Sequence, residues 1–230
     1  MRLILIRHGQ TPSNVRRLLD TAMPGPALTD LGSEQARALV PALADQPLDA
    51  IYSSVALRAQ QTAQPLADER SLELQVREGV REIAAGELEM AGDLASIKKY
   101  LTVVFGWVVG QPELRMPGGE TGTEVLERFD EVVQEALDAG HRSAAIISHG
   151  AMIRIWAASR AANADLQNPQ QYDLSNTGVV ILDYDNPDDN DDAARPWRLV
   201  SWTAEPAGGP SLADSKHDGP DLEGLSAEEN

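Results

Sequence analysis

The sequence predicts a three-layer α/β/α sandwich with a mostly parallel central sheet and a small helical cap. Apolar runs of strand length alternate with segments of helical period, the pattern of a parallel sheet covered by helices on both faces. The 230 residues, 42% of them hydrophobic, are enough for one domain with a sizeable core. The chain contains no cysteine, which excludes disulfides, thiol nucleophiles and thiolate metal sites.

The first predicted strand is Leu3–Ile6, a consecutive apolar run. This run is too short for the core of a signal peptide, and no apolar run approaches the roughly 20 residues of a spanning helix. We therefore expect a cytoplasmic protein without a membrane segment. Downstream, Thr29 is the expected N-cap of a helix over residues 30–45.

A second β-loop-α unit follows this helix. Residues 49–53 predict a short strand, and Ser53 or Ser54 is the expected cap of the next helix, which runs through Leu66. Residues 72–87 show no regular period and predict irregular structure.

The middle of the chain predicts the cap and a third β-loop-α unit. Residues 88–118 form an apolar helical stretch flanked by glycine and proline, which we interpret as the cap. The turn at residues 118–121 leads into a helix with Val125 and Phe129 on one face. Residues 144–148 then predict a buried strand, followed at once by another helix.

The C-terminal part predicts two antiparallel strands, 179–183 and 197–202, joined by an acidic hairpin loop over residues 183–196. The aspartates of this loop lack the glycine and terminal glutamate spacing of a calcium loop. We expect the folded domain to cover residues 1–203 and the acidic tail 204–230 to be disordered.

The charge is uneven along the chain. The sequence has 19 basic and 36 acidic residues, which gives a formal net charge of −17. Residues 183–192 hold six aspartates and no base, and residues 204–230 hold seven acids and one lysine, so 23 acids and 18 bases remain elsewhere. The overall field disfavours nucleic acid and anionic membranes as partners. A small anionic substrate fits if basic side chains converge locally.

Polar side chains follow each of the three central predicted strands, where ligands bind in open α/β sheets. They are the side chains of Arg7, His8, Asn14, Arg58 and His149, and the glycine Gly150 follows His149. Guanidinium groups pair with phosphate oxygens, and amides and helix N-termini add donors. A neutral imidazole is also a competent nucleophile. The set therefore predicts a phosphoryl-group site with covalent chemistry.

Six segments occur in an order that points to one family. They are Arg7-His8-Gly9-Gln10-Thr11-x-x-Asn14, Leu28-Thr29-x-x-Gly32, Tyr52-Ser53-Ser54-x-x-x-Arg58, Arg81-Glu82-Ile83, Gly118-Gly119-Glu120-Thr121 and Ser148-His149-Gly150. Together they resemble the histidine phosphatase superfamily, in the branch that contains the cofactor-dependent phosphoglycerate mutases. The resemblance spans residues 2 to about 182 and implies the phosphoglycerate mutase-like fold.

The resemblance implies a role for each matched residue. His8 is the nucleophile that becomes a phosphohistidine, and a protonated His149 stabilises transition-state charge. The phosphate-binding set is Arg7, Asn14, Arg58, His149 and Gly150. Glu82 is the proton donor to the leaving group and must be protonated in the first step. No metal and no cofactor belong to this scheme.

The choice of Glu82 and the role of the apolar stretch both have alternatives. Glu78, Glu87 and Glu89 lie near Glu82, and only the Arg-Glu-Ile context selects it. The apolar stretch 100–109 fits buried core or the surface of a homodimer better than a wall of the pocket.

The leading functional hypothesis is a metal-independent phosphoric monoester hydrolase of the histidine acid phosphatase type, acting on a small phosphorylated metabolite. A phosphoglycerate mutase with the same chemistry is the alternative. The Glu-Ser-x-Trp-Asn segment of such mutases is replaced by Gln10-Thr11-Pro12-Ser13-Asn14, and nothing in residues 82–110 resembles their Arg-x-Asn-Glu-Arg-His-Tyr-Gly segment. A non-catalytic phospholigand-binding module is a third hypothesis, which the retention of every candidate catalytic residue disfavours.

Overall fold

A computed structural model of the chain describes residues 1–165, 172–184 and 195–220. Six strands form one sheet: β1 Arg2–Arg7, β2 Ala50–Ser54, β3 Leu74–Arg77, β4 Ser143–Ser148, β5 Val179–Tyr184 and β6 Trp197–Thr203. Their spatial order is β3-β2-β4-β1-β5-β6. Strands β1 to β4 are mutually parallel, β5 is antiparallel to β1, and β6 is antiparallel to β5. The predicted, mostly parallel sheet is therefore confirmed.

The described residues contain the helices α1 Pro12–Val15, α2 Asp30–Ala42, α3 Leu57–Arg70, α4 Leu94–Val108, α5 Gly122–Asp138 and α6 Gly150–Arg160, and α2 to α6 cover the two faces of this sheet. Single 3₁₀ turns lie at Glu78–Val80, Gly86–Leu88 and Pro210–Leu212. Alternate strand residues point to opposite faces, so Ile4 and Ile6 pack with α2 and α3, whereas Leu3 and Leu5 pack with α4, α5 and α6. The three-layer sandwich is therefore also confirmed.

Two helix starts follow from their capping residues. The Thr29 hydroxyl accepts a hydrogen bond from the Gly32 amide at 3.0 Å, as the sequence predicts for α2. Thr121 and Glu124 form a reciprocal capping box at the start of α5. Helix α2 ends at Ala42, before the predicted residue 45, and Leu43 is its C-cap.

Two local predictions differ from the structure. Residues 74–77, predicted as irregular, form the edge strand β3, which pairs only with β2 and is largely half-buried. Such a strand needs no alternating apolar pattern, because neither face is fully covered. The N-cap of α3 is Ala56, because the hydroxyl of Ser54 is engaged with a histidine of the site described below.

The predicted cap, residues 88–118, contains one helix, α4. Its residues Ile97, Val104 and Trp107 are buried in the same core as α5 and α6, so α4 belongs to the helical layer. Its residues Tyr100 and Leu101 also border the cleft at the edge of the sheet. Residues 88–118 thus contribute buried core residues and also part of the wall of the cleft.

The segment after β6 folds back onto the domain as far as residue 220, where composition predicts disorder. The Ala207 amide donates to the Thr177 carbonyl at 3.1 Å, and the Gln35 side chain donates to the Leu212 carbonyl at 2.9 Å. Hydrogen bonds of this kind leave no hydrophobic period, so the sequence does not reveal them. Residues 221–230 and most of the predicted acidic loop lie outside the described residues.

Within the described ranges, no helix is long and apolar enough to cross a membrane. The same ranges contain no group of three or more histidine, aspartate or glutamate side chains arranged to hold a metal ion.

Candidate active site

The carboxyl ends of β1, β2 and β4 bring four of the predicted side chains to one point. Arg7 ends β1 and His8 follows it, Arg58 lies in the first turn of α3, and His149 follows β4. Strands β1 and β4 pair in register up to Arg7 and Ser148, so both histidines leave the sheet side by side. Their ring centroids are 5.1 Å apart, and the Arg58 Nε lies 3.2 Å from the His8 Nε2.

The neighbours of His8 determine its tautomer. Its Nδ1 lies 2.8 Å from the Gly9 carbonyl oxygen, which can only accept a hydrogen bond, so Nδ1 carries the proton. Its Nε2 faces the Nε–H of Arg58, which can only donate. Nε2 is therefore the unprotonated nitrogen of the ring: its lone pair accepts from Arg58, and His8 lines the cleft described below. An unprotonated ring nitrogen is what a nucleophilic imidazole requires.

His149 is held by the side chain of Ser54. The two are 2.9 Å apart between Nε2 and Oγ, and the same hydroxyl accepts a hydrogen bond from the Ala56 amide at 3.2 Å. The Nδ1 of His149 is buried and has no hydrogen-bond partner. One ring nitrogen is therefore fixed by the protein and the other is left for a bound group.

Three side chains of the site have buried nitrogen atoms without hydrogen-bond partners. Besides the Nδ1 of His149 they include the Nε of Arg7 and the Nη1 of Arg58. The other Arg7 nitrogens donate to the Leu174 carbonyl at 2.5 Å and to the Asp218 carbonyl, and the Nη2 of Arg58 donates to the Asp20 carbonyl at 3.3 Å. Unsatisfied buried polar atoms are costly, so an oxyanion that accepts from such donors would stabilise the site.

Burial and positive neighbours lower the pKa of both histidines. Burial lowers the pKa of His8 well below 6.5, and the charges of Arg58 and Arg7 lower it further. The pKa of His149 is also well below 6.5, first because of burial and then because of Arg58 and His8. This direction favours a neutral His149 in the free protein. The protonated state expected of His149 belongs to the transition state and stays a prediction, since the negative charge of a phosphoryl group would raise this pKa.

This electrostatic arrangement predicts that His8 and His149 stay neutral as the pH falls from 7 to 6. Nitrogen-15 NMR of the protein without substrate should show His8 as the Nδ1–H tautomer and place both midpoints below 6.5. By linkage, the unfolded chain binds protons that the folded chain does not, so the free energy of unfolding decreases as the pH falls below that value. A midpoint at or above the ordinary value would contradict the prediction.

Asn14 and Gly150 line the same cleft. The Oδ1 of Asn14 accepts hydrogen bonds from the amide and hydroxyl of Thr11, both at 2.9 Å, which leaves its Nδ2 as the available donor. A Cβ at Gly150 would lie 3.2 Å from the Nε of Arg7. Glycine at the start of α6 therefore keeps this guanidinium uncrowded.

Glu82 is the one residue among Glu78, Glu82, Glu87 and Glu89 that lines the cleft. Its carboxylate lies at the N-terminus of α6, where it accepts hydrogen bonds from the amides of Met152 at 2.9 Å and Ala151 at 3.3 Å. Glu89 instead accepts from the amide of Thr21 at 2.8 Å and fixes that loop. The geometry therefore agrees with the choice of Glu82.

Two positioning residues were given no role from the sequence, although Thr62 lies four residues after Arg58 in the family-like segment. The hydroxyl of Thr62 accepts from the Gly9 amide at 2.9 Å and donates to the Arg58 carbonyl at 2.7 Å, so it joins the two loops of the site. Asn176 is fully buried and donates from its Nδ2 to the His8 carbonyl at 2.9 Å. Thr62 belongs to a helical period that indicates core, and no local pattern marks Asn176.

The segment that carries Glu82 is fixed by an ionic cluster. Arg128 donates to the carbonyls of Gly79 at 2.7 Å, Arg81 at 2.9 Å and Glu82 at 3.2 Å. Glu120 forms ion pairs with Arg81 and Arg128, both at 2.8 Å. This cluster holds the backbone of residues 79–82 in place, since none of these groups can move without losing several charge-assisted bonds.

The loop after β1 packs directly on the start of α2, which makes Gly32 a sensitive position. A Cβ there would lie 2.2 Å from the Gln10 carbonyl oxygen, closer than real contacts allow. We expect Gly32→Ala to shift the loop that carries His8 and to lower kcat/KM for a phosphate ester about 100-fold. The exposed Glu34→Ala on the same helix is the control. Equal rates in both variants would show that the loop adjusts freely.

The cleft lies beyond the carboxyl edge of the sheet and is partly open to solvent. Apolar side chains, among them Leu18, Leu19, Tyr100 and Leu101, line one part of it, and Arg154 adds a further cation. The site thus combines polar donors with an apolar wall, as small-molecule pockets do.

Sequence comparisons agree with this geometry. A PE-PGRS family protein, PE_PGRS11 of Mycobacterium tuberculosis, is 35% identical over 226 residues, which cover 90% of this chain and 37% of that protein. The chain therefore spans little more than a third of this relative. A Hydrogenobacter thermophilus protein with the provisional name phosphoserine phosphatase 2 is 26% identical, covering 79% of this chain and 88% of its own. A probable phosphoglycerate mutase GpmB of Proteus mirabilis is 26% identical over 90% of this chain and 93% of its own.

A solved structure with the same fold is that of a mycobacterial glucosyl-3-phosphoglycerate phosphatase. The two share 25% sequence identity and superpose with a TM-score of 0.71, covering 89% of this chain and 99% of that one. The histidine phosphatase superfamily, branch 1, matches residues 3–191. This match covers most of the chain, and the protein therefore belongs to the histidine phosphatase superfamily.

Proposed function

We propose that the protein is a metal-independent phosphatase that hydrolyses a small phosphate monoester through a phosphohistidine on His8. The observation that carries the proposal is the tautomer of His8: its unprotonated Nε2 lies beside Arg58, in a cleft that Arg7, Asn14 and Glu82 also line. A nucleophile and an anion site in one place are what phosphoryl transfer requires.

In the first step the lone pair of the His8 Nε2 attacks phosphorus while the ester P–O bond breaks. In this proposal Arg7, Arg58 and His149 bind phosphoryl oxygens, and Asn14 adds its Nδ2. Protonated Glu82 donates its proton to the leaving oxygen, so the products are an alcohol and the phosphohistidine. Catalysis comes mainly from donors that are already oriented before the substrate arrives.

In the second step water attacks the phosphorus of the phosphohistidine. The Glu82 carboxylate accepts a proton from this water as the P–N bond breaks. Orthophosphate leaves, and His8 regains its lone pair on Nε2. Because the same carboxyl group first donates and then accepts one proton, the cycle returns the enzyme to its starting protonation state.

The lowered pKa of His8 supports the assignment to the acid phosphatase type. A nucleophilic imidazole must be unprotonated, and this one stays so below pH 6.5. Phosphate release at mildly acidic pH is therefore the expected activity.

The test is release of phosphate from p-nitrophenyl phosphate, with His8→Ala protein as the blank. Release well above the blank supports the proposal. No release above the blank would favour a phospholigand-binding module. In a second assay, rapid isomerisation of 3-phosphoglycerate in the presence of its bisphosphate, without release of phosphate, would favour a phosphoglycerate mutase.

The rate of hydrolysis should also be unaffected by metal chelators. The proposed reaction uses only side chains of the chain itself, so EDTA at millimolar concentration is expected to leave the rate unchanged. The assay is initial phosphate release before and after dialysis against the chelator. Complete loss of activity that a divalent cation restores would overturn the metal-independent chemistry.

The expected partner is a small phosphorylated metabolite, because the cleft is modest and its donors suit one phosphoryl group. The net charge of −17 disfavours nucleic acid and anionic membranes. The cytoplasmic location and a homodimer through the apolar surface near Val109 stay predictions.

A further inference from the structure

The end of the described chain lies against the active-site cleft. Residues 212–220, the C-terminal strap, begin at the Gln35 side chain, which donates to the Leu212 carbonyl at 2.9 Å. Gln10, two residues after His8, then donates from its Nε2 to the Asp214 carboxylate at 3.1 Å. The strap is thus attached to the loop that carries the proposed nucleophile.

The next residues of the strap contact the phosphate-binding side chains themselves. The Asp218 carboxylate accepts a hydrogen bond at 3.2 Å from the amide of Asn176, whose side chain holds the His8 carbonyl. The Asp218 carbonyl accepts a hydrogen bond from the Nη2 of Arg7. Pro220 lines the cleft.

Gly219 makes the closest approach. It is buried, its φ is +104°, and a Cβ there would lie 2.9 Å from the Nδ2 of Asn14 and 3.4 Å from the Nη2 of Arg7. Both the backbone conformation and the spacing therefore favour glycine at this position. Any larger residue would push the strap away from these two side chains.

The strap leaves most donors of the proposed anion site without a partner. It engages only the Nη2 of Arg7, while the Nε of Arg7, the Nη1 of Arg58 and the Nδ1 of His149 keep no partner. With Nη1 on the Leu174 carbonyl and Nη2 on the Asp218 carbonyl, the guanidinium of Arg7 is fixed with its Nε free. This arrangement indicates that the strap supports the site and does not compete with an anion for it.

We propose that the C-terminal strap is part of the active site: the Asp218 carbonyl positions Arg7, and Gly219 with Pro220 forms a wall that limits the leaving group. The inference rests on the proposed phosphatase function. In this arrangement Arg7 is a phosphate-binding residue, and Asp218 acts through it as a positioning residue. The pocket is then selective for small esters because the strap closes one side of it.

The experiment compares full-length Gly219→Val with the wild type and with Lys216→Ala, a change at an exposed strap residue. The substrates are phenyl phosphate and the bulkier 4-methylumbelliferyl phosphate, and the dissociation constant of inorganic phosphate is measured by calorimetry. For Gly219→Val we expect KM for phenyl phosphate and the phosphate dissociation constant to rise about tenfold, with a smaller change in kcat. The preference for the smaller ester should fall at the same time, because the wall has moved. Lys216→Ala should behave as the wild type.

Asp214→Ala is the second variant, because it removes the bond to Gln10 without introducing bulk. The same direction of change is expected in both variants, and thermal unfolding checks that each is folded. Tighter phosphate binding in either variant would show that the strap competes with the substrate. Unchanged constants and unchanged size preference in both would show that it takes no part in the site.

The phosphate titration separates this inference from the proposed function. If the wild type binds phosphate but releases none from either ester, the phosphatase proposal fails, and the strap is still judged by the dissociation constants. If the wild type hydrolyses both esters and the variants match it, the strap proposal alone fails.

Discussion

Replacing His8 with alanine is expected to eliminate phosphate release from p-nitrophenyl phosphate, with a loss of at least about 10³-fold in kcat. The variant removes the only imidazole nitrogen whose lone pair faces both Arg58 and the cleft. Without it no phosphoenzyme can form, and the remaining donors bind the substrate without transferring its phosphoryl group. Acid quench with a ³²P-labelled ester should trap a labelled protein in the wild type and none in the variant.

The matched control for this prediction is His141→Ala. His141 is half-exposed and lies beside Tyr52, with 6.5 Å between the ring centroids, and it does not line the cleft. We expect its replacement to leave both turnover and labelling intact. Retention of more than about a tenth of the wild-type rate in His8→Ala would exclude covalent catalysis at His8.

Replacing Arg58 with alanine is expected to lower kcat/KM by about 10²–10³-fold. Arg58 is only 2% exposed, and its single guanidinium both faces the His8 Nε2 and leaves Nη1 for the phosphoryl group. Its loss removes a transition-state donor and also frees the His8 ring to rotate. Steady-state kinetics measures the first effect, and the NMR signals of the His8 ring nitrogens report the second.

Arg58→Lys should not restore the activity. A lysine ammonium is a compact point charge, which cannot hold the Asp20 carbonyl, the His8 ring and an oxyanion in the geometry of a planar guanidinium. Arg70→Ala, at the other end of the same helix, is the control, because its guanidinium contacts only surface carbonyls of the α2 end such as Leu43. Wild-type kinetics in Arg58→Lys would show that only the charge matters.

The fold and the residues that form the site could be predicted from the sequence for the same reason. Apolar runs locate the strands, and the residues directly after a strand must lie at the same edge of a parallel sheet. Arg7, His8 and His149 could therefore be assigned to one site from the sequence, and the period of α3 added Arg58 to that site. Glu82 was harder, because a glutamate after a short edge strand has no local feature that distinguishes it from its neighbours.

Features that depend on hydrogen bonds between distant segments could not be predicted in this way. Strand β3 is defined by its pairing with β2, and its half-buried residues carry no alternating pattern. The neutral state of His149 depends on burial and on Arg58, which is far from it in sequence. The course of residues 212–220 depends on single contacts with Gln10, Gln35 and Asn176.

The sequence by itself determined the layers, the parallel sheet and which polar residues meet at its edge, because these follow from hydrophobic period and strand order. The tertiary structure alone decided which nitrogen of His8 is basic, which donors remain unpartnered and which C-terminal residues lie against the cleft. These are matters of individual donors and acceptors a few ångströms apart, and such contacts join segments up to about 200 residues distant in the chain.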